Sequence, residues 1–183
     1  MDMVKEYIYG KRPLININKR NKLISSIKRI IDLAHKKKIP IIYISSAFKK
    51  NDPILKIIGL RPQAIDGKTG TRIIEQLKPR KNDFVLKKRG YDGFWKSNLN
   101  SLLRKLKVKE IYLVGQQTDC CIRETGVTAA HLGYEVYIIE DCCDTNRELG
   151  QESAIRFMKT CVGKVISSKN LNLWETGFII LFN

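Results

Sequence analysis

Residues 111–141 read IYLVGQQTDCCIRETGVTAAHLGYEVYIIED, with two apolar segments on either side of a cysteine pair. The first apolar run predicts a buried strand, and helical periodicity after it predicts a helix that ends at Gly133. The predicted elements are a strand at 111–114, a turn at 115–119, a helix at 122–132 and a strand at 135–140. The cysteines therefore lie where a buried strand turns directly into a helix.

The two cysteines at this junction are Cys120 and Cys121. Unpaired backbone N–H groups and the positive end of the helix dipole favour a thiolate in the first turn of a helix. Either cysteine could therefore be a reactive nucleophile. The alternative is that both are small buried residues at a tight junction, which is the commoner role of an intracellular cysteine.

Length and cysteine content limit the class of protein. The 183 residues predict a single domain over 1–183 with an ample core. Five cysteines, with neither a secretory leader nor a membrane-length apolar run, predict a cytoplasmic protein in a reducing compartment. The adjacent pairs Cys120–Cys121 and Cys142–Cys143 lack the two-residue spacer of zinc and redox motifs, so structural zinc is not expected.

The chain is strongly basic, with 34 Lys and Arg against 18 Asp and Glu and a net charge of +16. Such a charge ordinarily suggests an anionic partner such as nucleic acid. Here the basic residues recur along the whole chain without interleaved aromatics on one face, which indicates a solvated surface. We therefore expect no nucleic-acid and no membrane partner, with nucleic-acid binding kept as the last of three hypotheses.

The rest of the chain continues the alternation of strands and helices. Apolar residues at helical spacing from Leu23 to Ala34 predict a helix over 18–38, and Thr145 with Glu148 predicts a capping box that opens a helix to about residue 160. Two prolines and three glycines in 47–70 predict an irregular excursion of the kind that covers a binding site. The other predicted elements are strands at 39–46, 83–88 and 165–168 and helices at 71–77 and 98–106.

Crossovers of this length between strands predict parallel pairing, and hence an α/β fold. The expected architecture is a three-layer α/β/α sandwich with a mostly parallel, Rossmann-like sheet. Sites in such sheets lie at the carboxyl ends of the strands. This rule selects Lys87–Lys88, residues 116–121 and the segment after Ser46. A cation and a thiol are thereby expected in one crevice.

The motifs at these strand ends resemble those of the isochorismatase-like cysteine hydrolases, the superfamily that includes nicotinamidase and N-carbamoylsarcosine amidohydrolase. The resemblance covers nearly the whole chain. The family pattern G-x-x-T-D-x-C-[VI], followed by LGY-x-V and an acidic strand end, is matched by Gly115, Thr118, Asp119, Cys121, Ile122, 132–134 and Asp141. The pattern K-x-x-Y-x-x-F is matched by Lys88, Tyr91 and Phe94, and the opening D-M-x-x-x-F is similar to residues 2–7.

The resemblance implies roles for individual residues. Cys121 is the implied nucleophile, Asp2 the acid and base, and Lys88 the third member of an Asp-Lys-Cys triad. The backbone N–H groups of Gln117 and Cys121 are the implied oxyanion hole, with a cis peptide bond between Gln116 and Gln117. An ammonium beside a thiol favours the thiolate, and a carboxylate within reach can take the thiol proton.

Each assignment has an alternative. Lys88 lies in a basic run and could be an ordinary surface lysine, and Asp2 could belong to a disordered terminus. The aromatic residues Tyr7, Tyr91 and Phe94 are candidate walls of a substrate pocket, as is the neighbouring tryptophan, but a role in the core or at a subunit interface is comparable for each.

The sequence departs from the family pattern at its start. The family's aspartate ends a full apolar strand at the centre of the sheet, whereas only Met1 precedes Asp2 here, so the first strand appears truncated. An empty central position would leave neighbouring backbone groups unpaired. Three explanations are open: a start upstream of the recorded one, a rearranged sheet, or another segment in the vacancy. The apolar run 178–182 is a candidate for that segment, in its own chain or in a neighbour.

The segment after the second strand sets the expected cofactor. Nicotinamidases carry a metal site there built from an aspartate and histidines, but residues 45–70 contain no histidine. His35 and His131 lie on predicted helices, where a surface or packing role is expected. No cofactor and no metal are therefore expected. Members of the isochorismatase branch proper, which cleave a vinyl ether, do not need a cysteine nucleophile, so Cys121 favours hydrolysis of a C–N bond.

The leading hypothesis is a metal-independent amidohydrolase that cleaves a small amide, carbamoyl or ureido compound through a thioester. The second is a catalytically silent relative that acts as an oligomeric binding or scaffold protein, suggested by the missing strand behind Asp2. The resemblance also implies a homo-oligomer, a dimer or tetramer.

Overall fold

The computed structural model describes residues 1–59, 64–171 and 178–182, the last of these through their backbone. Six strands form one sheet in the order β2-β1-β6-β3-β4-β5, and every adjacent pair is parallel. The strands are β1 (Ile41–Ser46), β2 (Phe84–Lys88), β3 (Glu110–Gln116), β4 (Glu135–Asp144), β5 (Lys164–Ile166) and β6 (Phe178–Phe182). The helices are α1 (Lys5–Tyr9), α2 (Arg20–Lys36), α3 (Ile54–Ile58), α4 (Leu99–Lys105), α5 (Arg123–His131) and α6 (Glu148–Cys161). The predicted α/β fold with a parallel sheet is confirmed.

Alternating side chains of the strands divide the core between two faces of the sheet. In β3, Tyr112 and Val114 pack with α2 on one face, while Ile111 and Leu113 pack with α4, α5 and α6 on the other. All six residues of β1 are buried, as expected for a parallel strand covered on both sides. The molecule therefore has three layers, and the carboxyl ends of the strands lie at one edge of the sheet.

The central position of the sheet is occupied by both ends of the chain. β6 pairs with β1 and β3, with Phe182 opposite Tyr43. Directly beyond it, the Met1 nitrogen donates to the Val114 carbonyl, and the Asp2 N–H donates to the Ile44 carbonyl over 3.3 Å. The run 178–182 thus takes the vacancy within its own chain, the third of the three explanations. Backbone groups of β1 and β3 that an empty position would leave unpaired have partners.

Two local predictions are wrong. The predicted helix at 71–77 is replaced by two short 3₁₀ turns, Thr69–Thr71 and Glu75–Leu77, because the backbone between them pairs with the amino-terminal segment: Lys5 donates to the Arg72 carbonyl over 2.9 Å and Ile74 to the Met3 carbonyl over 3.1 Å.

The second wrong prediction is the capping box of Thr145 and Glu148. β4 continues to Asp144, so Thr145 is buried directly after a strand, and the helix begins with Arg147 as its N-cap and no side-chain capping bond. The longer strand leaves the threonine outside the helix.

The excursion at 47–70 is more ordered than predicted. It contains α3, and its two ends pair, since the Phe48 N–H donates to the Ala64 carbonyl over 2.8 Å and Asp66 donates to the Phe48 carbonyl over 2.9 Å. Residues 60–63 lie outside the described part of the chain. The paired ends place this segment over the carboxyl ends of β1 and β2.

Gly115 provides a test of the amino-terminal contact. It has φ +110°, and a Cβ added there would lie 2.0 Å from the Met1 nitrogen and 2.4 Å from the Met1 oxygen. Gly133, with φ +85° and no atom within 4 Å of an added Cβ, is a matched control for backbone strain alone. We predict that Gly115→Ala lowers the free energy of unfolding by about 1–3 kcal/mol more than Gly133→Ala, because it displaces Met1 and Asp2. Guanidinium denaturation measures both, and equal losses would contradict this packing.

Candidate active site

Lys88, the last residue of β2, is fully buried, so the alternative of a surface lysine is wrong. Its ammonium lies 2.9 Å from Asp2 Oδ2 and 3.2 Å from Cys121 Sγ. It also donates to the carbonyl oxygens of Gly90 and Tyr91, over 2.8 and 2.9 Å. Burial alone would lower the pKa of Lys88, but the adjacent Asp2 and Cys121 raise it above its ordinary value, so the ammonium stays charged.

Asp2 is also buried and lies in an ordered segment. Its Oδ1 accepts from the Ser46 N–H over 2.7 Å, and its backbone oxygen accepts from Gln116 Nε2 over 2.6 Å. Burial would raise the pKa of the carboxyl, but Lys88 and the Ser46 N–H together bring it below its usual value. Asp2 is therefore an ionised carboxylate held against an ammonium.

The two cysteines occupy a π-helical turn, Thr118–Ile122, between β3 and α5. Cys121 is 7% exposed and faces Lys88, while Cys120, the adjacent residue in the turn, is half-buried. The neighbouring Cys120 thiol, burial and the Asp2 carboxylate raise the pKa of Cys121 above its usual range, against the effect of Lys88. The neighbouring Cys121 thiol, together with Lys88 and Arg147, lowers the pKa of Cys120. Cys121 is therefore a neutral thiol at rest, beside a carboxylate that can take its proton.

Asp2 and Cys121 open onto one pocket, which has about 390 Å³ of space between its walls, part of it open to solvent. The pocket lies at the carboxyl ends of the strands, the edge that the sequence selected. Five of its ten lining residues are apolar or aromatic, and the other five are two glutamines, a serine, the aspartate and the cysteine. The lining residues are Asp2, Tyr7, Leu14, Ser46, Phe48, Ile58, Tyr91, Gln116, Gln117 and Cys121.

The Gln116–Gln117 peptide bond is cis and borders this pocket. The Gln117 carbonyl accepts from Cys120 and Ile122 in the π-helical turn, over 3.2 and 3.0 Å. The Gln117 side-chain amide donates to Asn146 Oδ1 over 3.1 Å and to the Leu14 carbonyl over 3.4 Å. Gln117 therefore connects the turn that carries the thiols to the wall formed by Leu14.

Of the aromatic residues predicted as pocket walls, Tyr7 and Tyr91 line the pocket and Phe94 does not. The Phe94 ring stacks on Tyr134 at 6.4 Å and packs in the core on the α4 side of the sheet. Trp95 is 55% exposed with Lys96 over its ring. Burial raises the pKa of the Tyr7 phenol well above its usual value, so Tyr7 presents a neutral hydroxyl to the pocket.

Leu14 was not predicted as a lining residue, because it lies in the segment between α1 and α2, whose periodicity carries no signal of a pocket. Phe48 and Ile58 lie in the excursion at 47–70, which was expected to cover a binding site, although neither was named as a wall. Gln116 lies in the range 116–121 that the strand-end rule selected, and Ser46 ends the strand before the third selected segment.

The three basic residues at 87–89 form ion pairs with three different carboxylates. Lys87 pairs with Asp66 over 2.6 Å, and Arg89 makes a two-point contact with Asp52, in which Nε lies 2.9 Å from Oδ2. Lys88 between them pairs with Asp2. The strand end that supplies the buried ammonium therefore also anchors both ends of the 47–70 excursion.

Within residues 1–59 and 64–171, no three His, Cys, Asp or Glu side chains are grouped as a metal site would require. His35 lies 2.8 Å from Asp83 through Nε2, and His131 is exposed on α5. Neither histidine lines the pocket.

Comparison with known proteins identifies the family. The family model described as the isochorismatase domain matches residues 1–170. The chain is 26% identical over 137 residues to the ureidoacrylate amidohydrolase RutB of Agrobacterium fabrum, covering 64% of this chain and 60% of that protein. The chain thus spans less than two thirds of this relative's length.

Solved structures show the same fold. The N-carbamoylsarcosine amidase of Thermoplasma acidophilum superposes with a TM-score of 0.84 at 24% identity, covering 93% of this chain and 95% of that one. The nicotinamidase PncA of Bacillus subtilis superposes with a TM-score of 0.80 at 19% identity, covering 91% and 96%. With a family model that covers nearly the whole sequence, this chain belongs to the isochorismatase domain family of hydrolases.

Proposed function

We propose that the protein is a metal-independent cysteine amidohydrolase that cleaves the C–N bond of a small amide, carbamoyl or ureido compound. The proposal is supported above all by one observation: a buried ammonium, Lys88 Nζ, contacts both the Asp2 carboxylate and the Cys121 sulfur at the pocket. Similarity to an amidohydrolase and the fold of amidases support the same reaction class.

In the proposed reaction, Cys121 attacks the substrate carbonyl and Asp2 takes its proton. The two contacts of Lys88 leave at most about 6 Å between the carboxylate oxygen and the sulfur, so a small movement on substrate binding suffices. Lys88 stabilises the charge that grows on sulfur as its proton leaves. Asp2 then returns the proton to the departing amine.

Backbone N–H groups of Gln117 and Cys121 are the proposed oxyanion hole. The Gln117 N–H is part of the cis peptide bond, the Cys121 N–H belongs to the turn that follows it, and both residues line the pocket. Fixed donors at this point stabilise the tetrahedral intermediate without reorganisation. Water then hydrolyses the thioester, with Asp2 as base. An acyl thioester formed from an amide releases the acid, and a carbamoyl thioester releases carbamic acid, which breaks down to carbon dioxide and ammonia.

The proposed setting is a cytoplasmic homo-oligomer. Five free cysteines suit a reducing compartment, and in the described part of the chain no helix is long and apolar enough to cross a membrane. Leu149 and Ile57 are 84% and 75% exposed, and burial of such side chains against a second copy would stabilise an oligomer. The pocket offers a small-molecule site, and we propose neither nucleic acid nor membrane as a partner.

A catalytically silent binding protein is the competing proposal. It was suggested by the missing strand behind Asp2, but β6 lies in that position and Asp2 is paired with Lys88. The structural reason for the competing proposal is therefore removed, and a measurement of activity decides between the two proposals.

We predict that the protein releases ammonia from some member of a panel of small amides, N-carbamoyl amino acids and ureido acids. Cys121→Ser should abolish turnover, because a neutral hydroxyl has no base strong enough nearby. Asp2→Asn should lower kcat by about 10²–10⁴, because the proton shuttle is lost. Cys142→Ala, which removes a buried thiol on the opposite face of the sheet, is the control and should retain turnover. An unimpaired Cys121→Ser enzyme, or no turnover of any panel member, counts against the proposal.

Metal independence is tested by chelation. Because the described pocket residues include one carboxylate, one thiol and no histidine, we predict that prolonged dialysis against EDTA leaves kcat and KM unchanged. Elemental analysis of the active protein should give well under one equivalent of zinc, iron or manganese. Loss of activity on dialysis that is restored by one of these metals would overturn metal independence while leaving the cysteine mechanism standing.

The buried ion pair predicts a stability effect. Lys88→Met would leave the Asp2 carboxylate buried without a counter-ion, and we expect the free energy of unfolding to fall by about 3–5 kcal/mol at pH 7. The double variant Asp2→Asn/Lys88→Met removes both charges and should recover much of this loss. Guanidinium denaturation measures the three proteins.

The same comparison has a pH dependence of known sign. The lowered pKa of Asp2 in the folded protein contributes stability above the unfolded value of about 3.9, and this contribution is lost as pH falls through the folded value. In Lys88→Met the unpaired carboxyl takes up a proton more readily when folded. The difference in stability between wild type and Lys88→Met should therefore narrow as pH is lowered from 7 toward 4; a constant difference would exclude the ion pair as its cause.

A further inference from the structure

The chain contains two pairs of adjacent cysteines in different geometries. Cys142 and Cys143 lie in β4, where successive side chains point to opposite faces of the sheet. Cys142 belongs to the core under α2, and Cys143 to the core on the α4 side, where its thiol donates to the Leu113 carbonyl over 3.6 Å. These two sulfurs are separated by the sheet itself.

Cys120 and Cys121 are adjacent residues in the turn Thr118–Ile122 rather than in a strand, so no sheet separates their side chains. Cys120 is half-buried and is the more exposed of the two, whereas Cys121 is 7% exposed and lines the pocket. The proposed mechanism gives Cys120 no task. It is a second thiol directly next to the nucleophile in the chain.

The charges around this pair favour one thiolate. The Lys88 ammonium lies 3.2 Å from Cys121 Sγ, and Arg147 lies beside the turn in a two-point contact with Asp119, with Nε 2.9 Å from Oδ2. The neighbouring Cys121 thiol and, with smaller effect, both cations lower the pKa of the Cys120 thiol. A thiolate, rather than a thiol, reacts with peroxides.

We propose that Cys120 and Cys121 form a peroxide-sensitive modification site, in which a reversible disulfide between the two adjacent residues switches off the nucleophile and protects it from further oxidation. This inference rests on the proposed function only for its activity readout. The formation of the bond is a property of the two sulfurs and can be measured without any substrate.

The chemistry balances with hydrogen peroxide as oxidant. The Cys120 thiolate attacks the peroxide, an S–O bond forms as the O–O bond breaks, and the departing oxygen leaves as water after taking a proton. Cys121 then attacks the Cys120 sulfenic acid, an S–S bond forms, and the hydroxyl group leaves as a second water. Two thiols lose two electrons and two protons in total, and the peroxide is reduced to two waters. A dithiol reverses the reaction by exchange.

The geometry favours a labile bond. Adjacent residues in a trans peptide have Cα atoms about 3.8 Å apart, closer than the roughly 4.4–6.8 Å usual for disulfides. Closing the ring must therefore distort the turn Thr118–Ile122 and move the Cys121 sulfur from the Lys88 ammonium. Strained disulfides are readily reduced, which suits a switch rather than a structural bond.

The chain offers a built-in control for the experiment. Cleavage after Lys109, Arg123 and Arg147 gives one peptide, 110–123, with Cys120 and Cys121 only, and another, 124–147, with Cys142 and Cys143 only. The native protein is treated with hydrogen peroxide, and its free thiols are then blocked with iodoacetamide under denaturing conditions. After cleavage, the masses of both peptides are measured by mass spectrometry. We expect peptide 110–123 to lose two hydrogens and take up no label, while peptide 124–147 takes up two labels. Sulfinic or sulfonic acid in 110–123 as the main product, or equal loss of label from both peptides, would overturn the proposal.

Activity and a variant complete the test. Peroxide should lower wild-type turnover about tenfold in step with the mass change, and dithiothreitol should restore it to within about twofold. Cys120→Ser cannot form the bond, so its peptide 110–123 should gain oxygen rather than lose hydrogen, and the activity it loses should not return with dithiothreitol. Full recovery of Cys120→Ser would overturn the role of Cys120. If no substrate is turned over at all, the mass result on the wild type still decides the inference.

Discussion

The site depends on a single buried ammonium. Lys88 is removed from solvent and has two carbonyl oxygens, one carboxylate and one sulfur within hydrogen-bonding distance. A buried cation is tolerated only when paired and solvated by fixed dipoles. Asp2 provides the compensating charge, and Cys121 becomes the second partner once its proton leaves. The proton transfer that starts the proposed reaction therefore moves negative charge between two ligands of the same cation, rather than creating charge in an apolar pocket.

That arrangement requires Asp2 to occupy one point at the end of the central strand. In this chain the strand is built from β6 and, beyond it, from Met1 and Asp2 themselves. The residues that carry the acid are thus held by hydrogen bonds to their neighbours in β1 and β3. The close approach of Gly115 to Met1 belongs to the same constraint, because a side chain at that position would occupy the path of the amino-terminal backbone.

Sequence patterns predicted most of this framework, for physical reasons that differ between its parts. Buried parallel strands and amphipathic helices carry periodic apolar residues, so β1, β3 and α2 were predicted nearly at their observed bounds. The 71–77 segment was mispredicted as a helix, because its backbone bonds go to residues 3–5, a partner that local periodicity cannot reveal.

Within the site, the motif residues Asp2, Lys88 and Cys121 were predicted and lie together, and their catalytic roles remain predictions. The position of Phe94 was not foreseen, because an aromatic residue three positions after Tyr91 in a connecting segment can face either the pocket or the core, and packing against Tyr134 decides between them.

The basic residues 87–89 at the end of β2 connect the reacting groups of the site to the excursion at 47–70, which covers the pocket. Arg89 and Lys87 contact Asp52 and Asp66, which flank the part of the excursion that contains Ile58, a pocket wall. Both ion pairs are directed to the same strand end as the buried ammonium. Because Lys87 and Arg89 flank Lys88, a movement of the excursion at 47–70 would act on the strand end that carries the ammonium. A substrate that fixes the position of the excursion would therefore also fix this ammonium, on which the thiol and the carboxylate depend. Substrate recognition and activation of the nucleophile would then both depend on the carboxyl end of β2.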